Sequence, residues 1–345
     1  MPEFNTMTRT LRCAMLATML LSIVEVHATF SIVAFDPQTR EVGSAVATCV
    51  ADNDLGFFVS RFAPGQGAIN AQSFASVPNL LNGRGRLLMG ESAEDTLQWL
   101  IDNDVNGRPQ DRQYAIVDLG DSDADHTVTF SGSANFPFAG GVSGDTYAIA
   151  GNILSGESII VQMEAAFEAS DGWLGERLMA TLQAAKEPMA DQRCANTSSL
   201  SAYISVTRAD DALDQEFMRI NTRAPNSFTD PIDLLQTEFD AFFAANVALD
   251  TDGDGVVDII DNCTERQNPT QFDADGDGFG NACDVDFNDD CVHSFIDLGI
   301  MRSVFFSDDE EVDVNEDGAV NFLDLGILRE LFFAAPGPSG YASCP

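Results

Sequence analysis

Between Asp250 and Asp324 the chain carries carboxylates at alternate positions in a repeating register, and this constrains its fold more than any other feature. Asp250, Asp252, Asp254 and Asp258 fall in D-T-D-G-D-G-V-V-D. Asp273, Asp275 and Asp277 fall in D-A-D-G-D-G-F-G. Asp313, Asn315, Asp317, Asn321 and Asp324 fall in D-V-N-E-D-G-A-V-N-F-L-D. Alternate oxygen-bearing residues with a glycine after the third let a short loop wrap a hard cation, and a carboxylate at loop position 12 closes the sphere. Without a cation such loops resist folding, because like charges a few ångströms apart repel by about 1 kcal/mol per pair even in water. Calcium is the expected ion, since many flexible oxygen ligands suit it better than magnesium. The bland alternative is an acidic, solvated linker. Against it, the register repeats and apolar residues follow each loop in order.

The net charge of -38 on 345 residues argues against nucleic-acid or anionic-membrane partners, which need basic patches. About half of that charge lies from Asp250 onward, so the acidity mostly tracks the loops. The first 28 residues read as a secretory signal. Arg9 and Arg12 precede the apolar run Cys13 to Val24, which is shorter than the roughly 20 residues a bilayer span needs. Val26-His27-Ala28 is a small-residue cleavage site. No other segment is apolar enough to cross a membrane, so a secreted or cell-surface protein is expected. Export permits disulfides, and Cys49, Cys194, Cys263, Cys283, Cys291 and Cys344 are even in number.

From Thr29 to about Val247 strands and helices alternate. Strands are expected at 29–35, 42–49, 67–73, 113–118, 127–131, 200–207 and 217–221. Helices are expected at 80–89, 92–103, 159–169, 174–185 and 231–246. Strand pairs with helix pairs between them suggest an α+β layered unit over 29–247. Beyond it the texture turns to Asp, Gly and Asn, which cannot bury a core and must be held by metal and disulfide. The segment divides into 248–284, 285–335 and a tail over 336–345, where Pro336 to Gly340 is expected to end the ordered structure. A duplication runs through the second part: Asp297-Leu-Gly-Ile-Met-Arg matches Asp324-Leu-Gly-Ile-Leu-Arg. In the first copy Asp286, Asn288, Asp290, Ser294 and Asp297 hold the ligand positions, and Cys291 stands where the loop glycine belongs.

Three resemblances follow from these motifs. Residues 250–284, with D-N-C at 261–263, N-P-T-Q at 268–271 and D-A-D-G-D-G-F-G-N-A-C-D at 273–284, are similar to thrombospondin type 3 repeats, which are calcium-bound segments with cysteines bridging neighbouring repeats. Residues 286–333 resemble a dockerin. That implies either a plug for a cohesin-like or cell-surface partner or a plain attachment signal. The front unit resembles an uncharacterised bacterial family of the N-terminal-nucleophile (Ntn) hydrolase fold. It does so through T-F-S-I-V-A-F-D at 29–36, V-G-S-A-V-A at 42–47, G-A-I-N-A-Q at 67–72, R-Q-Y-A-I-V-D at 112–118, Y-A-I-A-G-N-I-L at 147–154 and S-S-L-S-A-Y at 198–203. This implies a four-layer αββα sandwich. The chain departs from the family pattern near 189–196, so no role is assigned to Asp191 or Arg193. Cysteine parity and order pair Cys263 with Cys283, Cys291 with Cys344 and, by elimination, Cys49 with Cys194.

A cut after Ala28 would leave Thr29 first, and a terminal threonine can use its own α-amine, of pKa about 8, as the base for its hydroxyl. Thr29 can equally be just the first residue of a strand. Asn70, Gln72 and Asn152 are the candidate oxyanion donors, with a capped turn or core amide as the alternative for each. His126 is read as structural, and His293 is expected to be exposed in its loop. No Ser-His-Asp triad, phosphate-binding glycine loop or zinc motif is present. The expected function is a secreted, calcium-binding amidohydrolase acting on a small amide through Thr29. The rival is a non-catalytic binding or attachment protein on the same fold.

Overall fold

The computed structural model describes residues 29–120, 125–187, 189–342 and 344, so the signal segment expected over 1–28 lies outside the described residues. The front unit is mixed α and β, with two antiparallel sheets. The strands are β1 (Thr29–Phe35), β2 (Val42–Thr48), β3 (Ser60–Ala63), β4 (Gly67–Ser73), β5 (Arg112–Asp118), β6 (Thr127–Ser131), β7 (Gly140–Ser143), β8 (Tyr147–Asn152), β9 (Ser201–Thr207) and β10 (Met218–Arg223). One sheet runs β10-β9-β2-β1-β8-β7 and the other β3-β4-β5-β6. β1 and β2 form a hairpin in which Thr29 faces Thr48. The Asp36 Oδ1 accepts from the N–H groups of Gln38 and Thr39 at 3.0 and 2.9 Å and so fixes the turn.

Period-2 alternation sends the two faces of each central strand to different cores. On β1, Phe30, Ile32 and Ala34 join a cluster with α4 (Ser158–Glu168), α5 (Leu174–Ala184) and α6 (Pro231–Asn246). Val33 and Phe35 point the other way, into a cluster with Ala68 of β4 and Ala115 and Val117 of β5. The far face of β4 and β5 gives Ile69, Ala71, Tyr114 and Ile116 to a third cluster, under α2 (Val77–Leu87) and α3 (Ala93–Asp102). Burial on both faces explains why these strands read as near-continuous apolar runs. Ser92 caps α3 by accepting from the Asp95 N–H at 3.1 Å, and Asp230 caps α6 through the Ile232 N–H at 3.0 Å.

The short elements were not legible. α1 (Leu55–Val59), β3, β7 and β8 are missing from the expected ranges: five apolar-rich residues, four mixed ones and a glycine pair carry no readable period, and β8 opens on the unalternating apolar run Tyr147-Ala-Ile-Ala.

Beyond Val247 little regular structure forms until α7 (Phe295–Ser303) and α8 (Phe322–Leu331), which share a small core of Val285, Met301, Val312, Val314, Val320 and Leu328. Val257, Ile259 and Ile260 pack against the α4–α6 cluster, so the acidic segment lies on the front unit. The tail corrects the expectation that order stops at Pro336. It folds back, with the Thr264 N–H donating to the Pro338 carbonyl at 2.9 Å and the Gly340 N–H to the Asp261 carbonyl at 2.7 Å. Disulfides join Cys49 to Cys194, Cys263 to Cys283 and Cys291 to Cys344. His293 is also corrected: it is fully buried, with Nε2 accepting from the Val285 N–H at 3.3 Å and Nδ1 3.0 Å from the Leu331 carbonyl. Proximity of α8 buries it, and nothing in the loop sequence encodes that approach.

Candidate functional site

The face of β1 that meets β4 is apolar at the Phe35 end and polar at the Thr29 end, so the strand's own sequence gradient locates the site. Thr29 sits opposite Asn152 in the β1–β8 register and opposite Thr48 in the β1–β2 register. Gln72 Nε2 donates to Gln113 Oε1 at 2.8 Å and, more weakly, to the Thr29 carbonyl at 3.4 Å. Gln72 Oε1 accepts from Ser31 Oγ at 2.8 Å. Asn152 Nδ2 donates to the same Gln113 Oε1 at 2.9 Å. The buried Asn152 Oδ1 has no hydrogen-bond partner among the described residues.

Gln113 is thus the hub, and the sequence reading missed it. Its Nε2 donates to the Gly151 carbonyl and to Ser131 Oγ, each at 2.7 Å, so its Oε1 is presented to both neighbouring amides. The signal was available: Gln113 lies two residues before Ala115, on the face that meets β1. Asn70 sits deeper. It accepts from Ser44 Oγ at 2.9 Å and Ser60 Oγ at 2.7 Å and donates to the Ile32 carbonyl at 3.3 Å, which braces the two sheets away from Thr29. Thr29, Gln72 and Asn152 are therefore brought together and Asn70 is not. The residues that follow the two amides, Ser73 and Ile153, have φ of 67° and 54°. Left-handed backbone at a β-branched residue is strained, and such strain clusters at functional sites.

A second polar group reaches the same end. Asp191, fully buried, accepts from the Cys49 N–H at 2.7 Å and pairs with Arg193 Nη2 at 2.9 Å. Arg193 Nη2 also donates to Thr48 Oγ1 at 3.4 Å. The Cys49–Cys194 disulfide ties this loop to the end of β2. Thr29 and Gln72 line a cavity of about 340 Å³ whose other walls include Asp52, Leu55, Phe58 and Val77. His126 is elsewhere, with Nδ1 3.1 Å from Asp118 Oδ1.

In the C-terminal segment, carboxylate oxygens of Asp250, Asp252 and Asp254 lie within 4.8 Å of one another, as do those of Asp273, Asp275 and Asp277. Partial desolvation, then the charges of Asp277 and Asp273, hold the Asp275 carboxyl above the usual carboxylate range. Asp258 is not one of that first trio; its carboxylate accepts from the Thr251 N–H at 2.7 Å and from the Thr251 hydroxyl at 2.6 Å. In the duplicated part, Asp297 Oδ2 accepts from the Ser294 N–H and Asp324 Oδ2 from the Asn321 N–H, both at 2.7 Å. Each position-12 carboxylate thus also caps its helix. The Asp286 Oδ1 accepts from the Asp290 N–H, and the Asp313 Oδ1 from the Asp317 N–H, both at 3.2 Å. Asn288 Nδ2 donates to Asp290 at 3.0 Å, and Asn315 Nδ2 to Asp317 at 3.1 Å. Buried oxygens of Asp252, Asp261 and Asp297 have no hydrogen-bond partner among the described residues. Buried carboxylate oxygens without protein donors suit a cation. Asp261 was not among the expected ligands.

The model of a family of unknown function, DUF1028, matches residues 29–233. A solved structure of that family, protein SPO2555 from Silicibacter pomeroyi, is similar at 27% identity and a TM-score of 0.50, covering 63% of this chain and 89% of that one. No curated protein matches. Among the described residues no helix is long and apolar enough to cross a membrane.

Proposed function

The chain belongs to the DUF1028 family, and we propose that its front unit is an Ntn-type amidohydrolase on a four-layer αββα scaffold, secreted and carried by a calcium-binding C-terminal segment. The observation that carries the proposal is Thr29 at the end of β1, in the wall of a cavity and beside a set of buried amides. In the uncut chain the Thr29 nitrogen is a peptide amide and cannot accept a proton. Removal of residues 1–28 turns it into an amine two bonds from Cβ, able to take the hydroxyl proton. Oγ1 then adds to the amide carbon. Gln72 Nε2, which holds the Thr29 carbonyl only at 3.4 Å, is the donor best able to turn toward the oxyanion. Asn152 is the second donor, oriented by Gln113.

The C-terminal segment is read as thrombospondin type 3-like repeats followed by a dockerin-like attachment pair. Together they would take about four calcium ions, which neutralise the aspartate loops. Disulfides accord with export. The closed hydrogen-bonding among Gln72, Gln113 and Asn152 also suits the rival reading, a rigid binding protein without catalysis. The test is the secreted protein itself. N-terminal sequencing should begin at Thr29, and Thr29→Ala should abolish amide hydrolysis while leaving the fold and calcium binding intact. Any other first residue, or full activity in Thr29→Ala, removes the Ntn mechanism.

A further inference from the structure

We infer that the amide taken at Thr29 carries an uncharged, apolar acyl group, seated between α1 and the start of α2. The inference rests on the amidohydrolase reading above and names its substrate class. The cavity beside Thr29 is walled on one side by Leu55, Phe58 and Val59 of α1 and on another by Val77 at the start of α2. Among the described residues its polar lining is Thr29, Gln72 and Asp52, and none of its lining residues is basic. Thr29 and Gln72 belong to the reacting end. That leaves Asp52, whose Oδ1 accepts from the Asp54 N–H at 2.7 Å, as the one charged side chain in the wall. The guanidiniums around this end are engaged elsewhere: Arg193 pairs with the buried Asp191, Arg61 donates to the Phe57 carbonyl of α1, and Arg219 pairs with Asp54. An acyl group bearing a carboxylate would therefore be desolvated beside a like charge with no cation in the wall to receive it. An alkyl or aryl group meets aliphatic and aromatic walls instead. A volume of about 340 Å³, at roughly 30 Å³ per water-sized group, holds about ten non-hydrogen atoms, which suits a hexanoyl to octanoyl or a phenylacetyl amide.

The reaction balances without a further reagent. Thr29 Oγ1 bonds to the acyl carbon, the acyl C–N bond breaks, and the hydroxyl proton passes by way of the Thr29 amine to the departing amine. Water then bonds to the acyl carbon, the ester C–O bond breaks, a proton returns to Thr29 Oγ1, and a carboxylic acid leaves.

The test uses the full protein purified with Thr29 at its N-terminus, in calcium, and fluorogenic aminocoumarin amides. The acyl groups are acetyl, butanoyl, hexanoyl, octanoyl, succinyl and γ-glutamyl. Each methylene buried should raise kcat/KM by about fourfold until the cavity is full, and succinyl should fall at least tenfold below butanoyl. Val77→Phe should move the optimum to a shorter chain and Val77→Ala to a longer one, with both melting as the parent does. A profile independent of chain length, or a preference for succinyl or γ-glutamyl, overturns this inference and leaves the hydrolase intact. Calorimetry of the Thr29→Ala protein with the hexanoyl amide separates the other failure. Binding that Val77→Phe weakens, in a protein that cleaves nothing, sinks the catalytic reading and keeps the apolar acyl site; no binding and no cleavage sinks both.

Discussion

Glu41 shows how a single buried carboxyl sets a pH response that has nothing to do with the candidate site. It is 2% exposed, accepts from Trp173 Nε1 at 2.7 Å and lies 3.6 Å from Arg208. Burial outweighs both partners and pushes it up to about 7 from 4.5. The unfolded chain loses this proton near 4.5, whereas the folded chain holds it until about 7. Stability is then fullest below pH 4.5 and is lost as pH rises through 7, by about 3 kcal/mol in all. Urea unfolding in calcium at pH 5 and pH 8 should show that fall, and Glu41→Gln should flatten it. Equal stability of the parent at both pH values would show that Arg208 compensates the charge. At this scale the sequence was legible where residue type and strand parity agree, as for Gln72 beside Thr29. It was not legible for Gln113 or Asp191, because their meaning comes from which strand or loop lies opposite.

The duplicated helices are nearly the same element built twice, and their difference is instructive. Ser294 and Asn321 cap α7 and α8, and Asp297 and Asp324 close each cap. The residue after the fifth loop position must take a positive φ: Gly318 has 90° and Cys291 has 64°. Glycine adopts this freely, while a side chain pays about 1 kcal/mol or more. The first copy tolerates it with Cys291 tied to Cys344, which holds the tail across the segment. Gly318→Ala has open space for its Cβ, so it should suffer from φ alone and destabilise the second loop by about 1 kcal/mol. Calcium titration followed by circular dichroism should show weaker binding in that variant. An unchanged midpoint would mean that the loop reaches its φ without needing glycine. Elements with long patterns, such as α6 at Pro231–Asn246, could be placed from sequence. β7 could not, since Gly140 and Gly141 have no side chains to alternate and only pairing with β8 makes them a strand.

Over the whole molecule the two halves are stabilised by different physics. The front unit buries three apolar clusters and closes one loop of sequence separation 145 with a disulfide. Among the described residues the C-terminal segment has one small cluster and two disulfides, and it carries about half of the net charge of -38. On the calcium reading, chelation leaves each aspartate trio repelling at short range with only disulfides and the returning tail to resist. The halves also touch. Val257, Ile259 and Ile260 lie against the cluster that contains Ile232, Leu235 and Phe239 of α6, and V-V-D-I-I in an otherwise acidic stretch was the sequence sign of that contact. Calorimetry in calcium should therefore give higher melting than in EDTA, with the loss largest in the C-terminal transition. The front transition should also fall by a few degrees, because about 1 kcal/mol of lost apolar cover moves a domain of this size by that much. Sodium chloride at 1 M, where the screening length is about 3 Å, should recover only part of the loss, since screening removes repulsion but supplies no ligand. Complete recovery in salt would reduce the loops to an acidic linker, and no response to EDTA would remove calcium from the structure altogether. Recovery by calcium at millimolar concentration and not by magnesium would instead identify a site that needs many flexible oxygens, which is what the spacing from Asp250 to Asp324 provides.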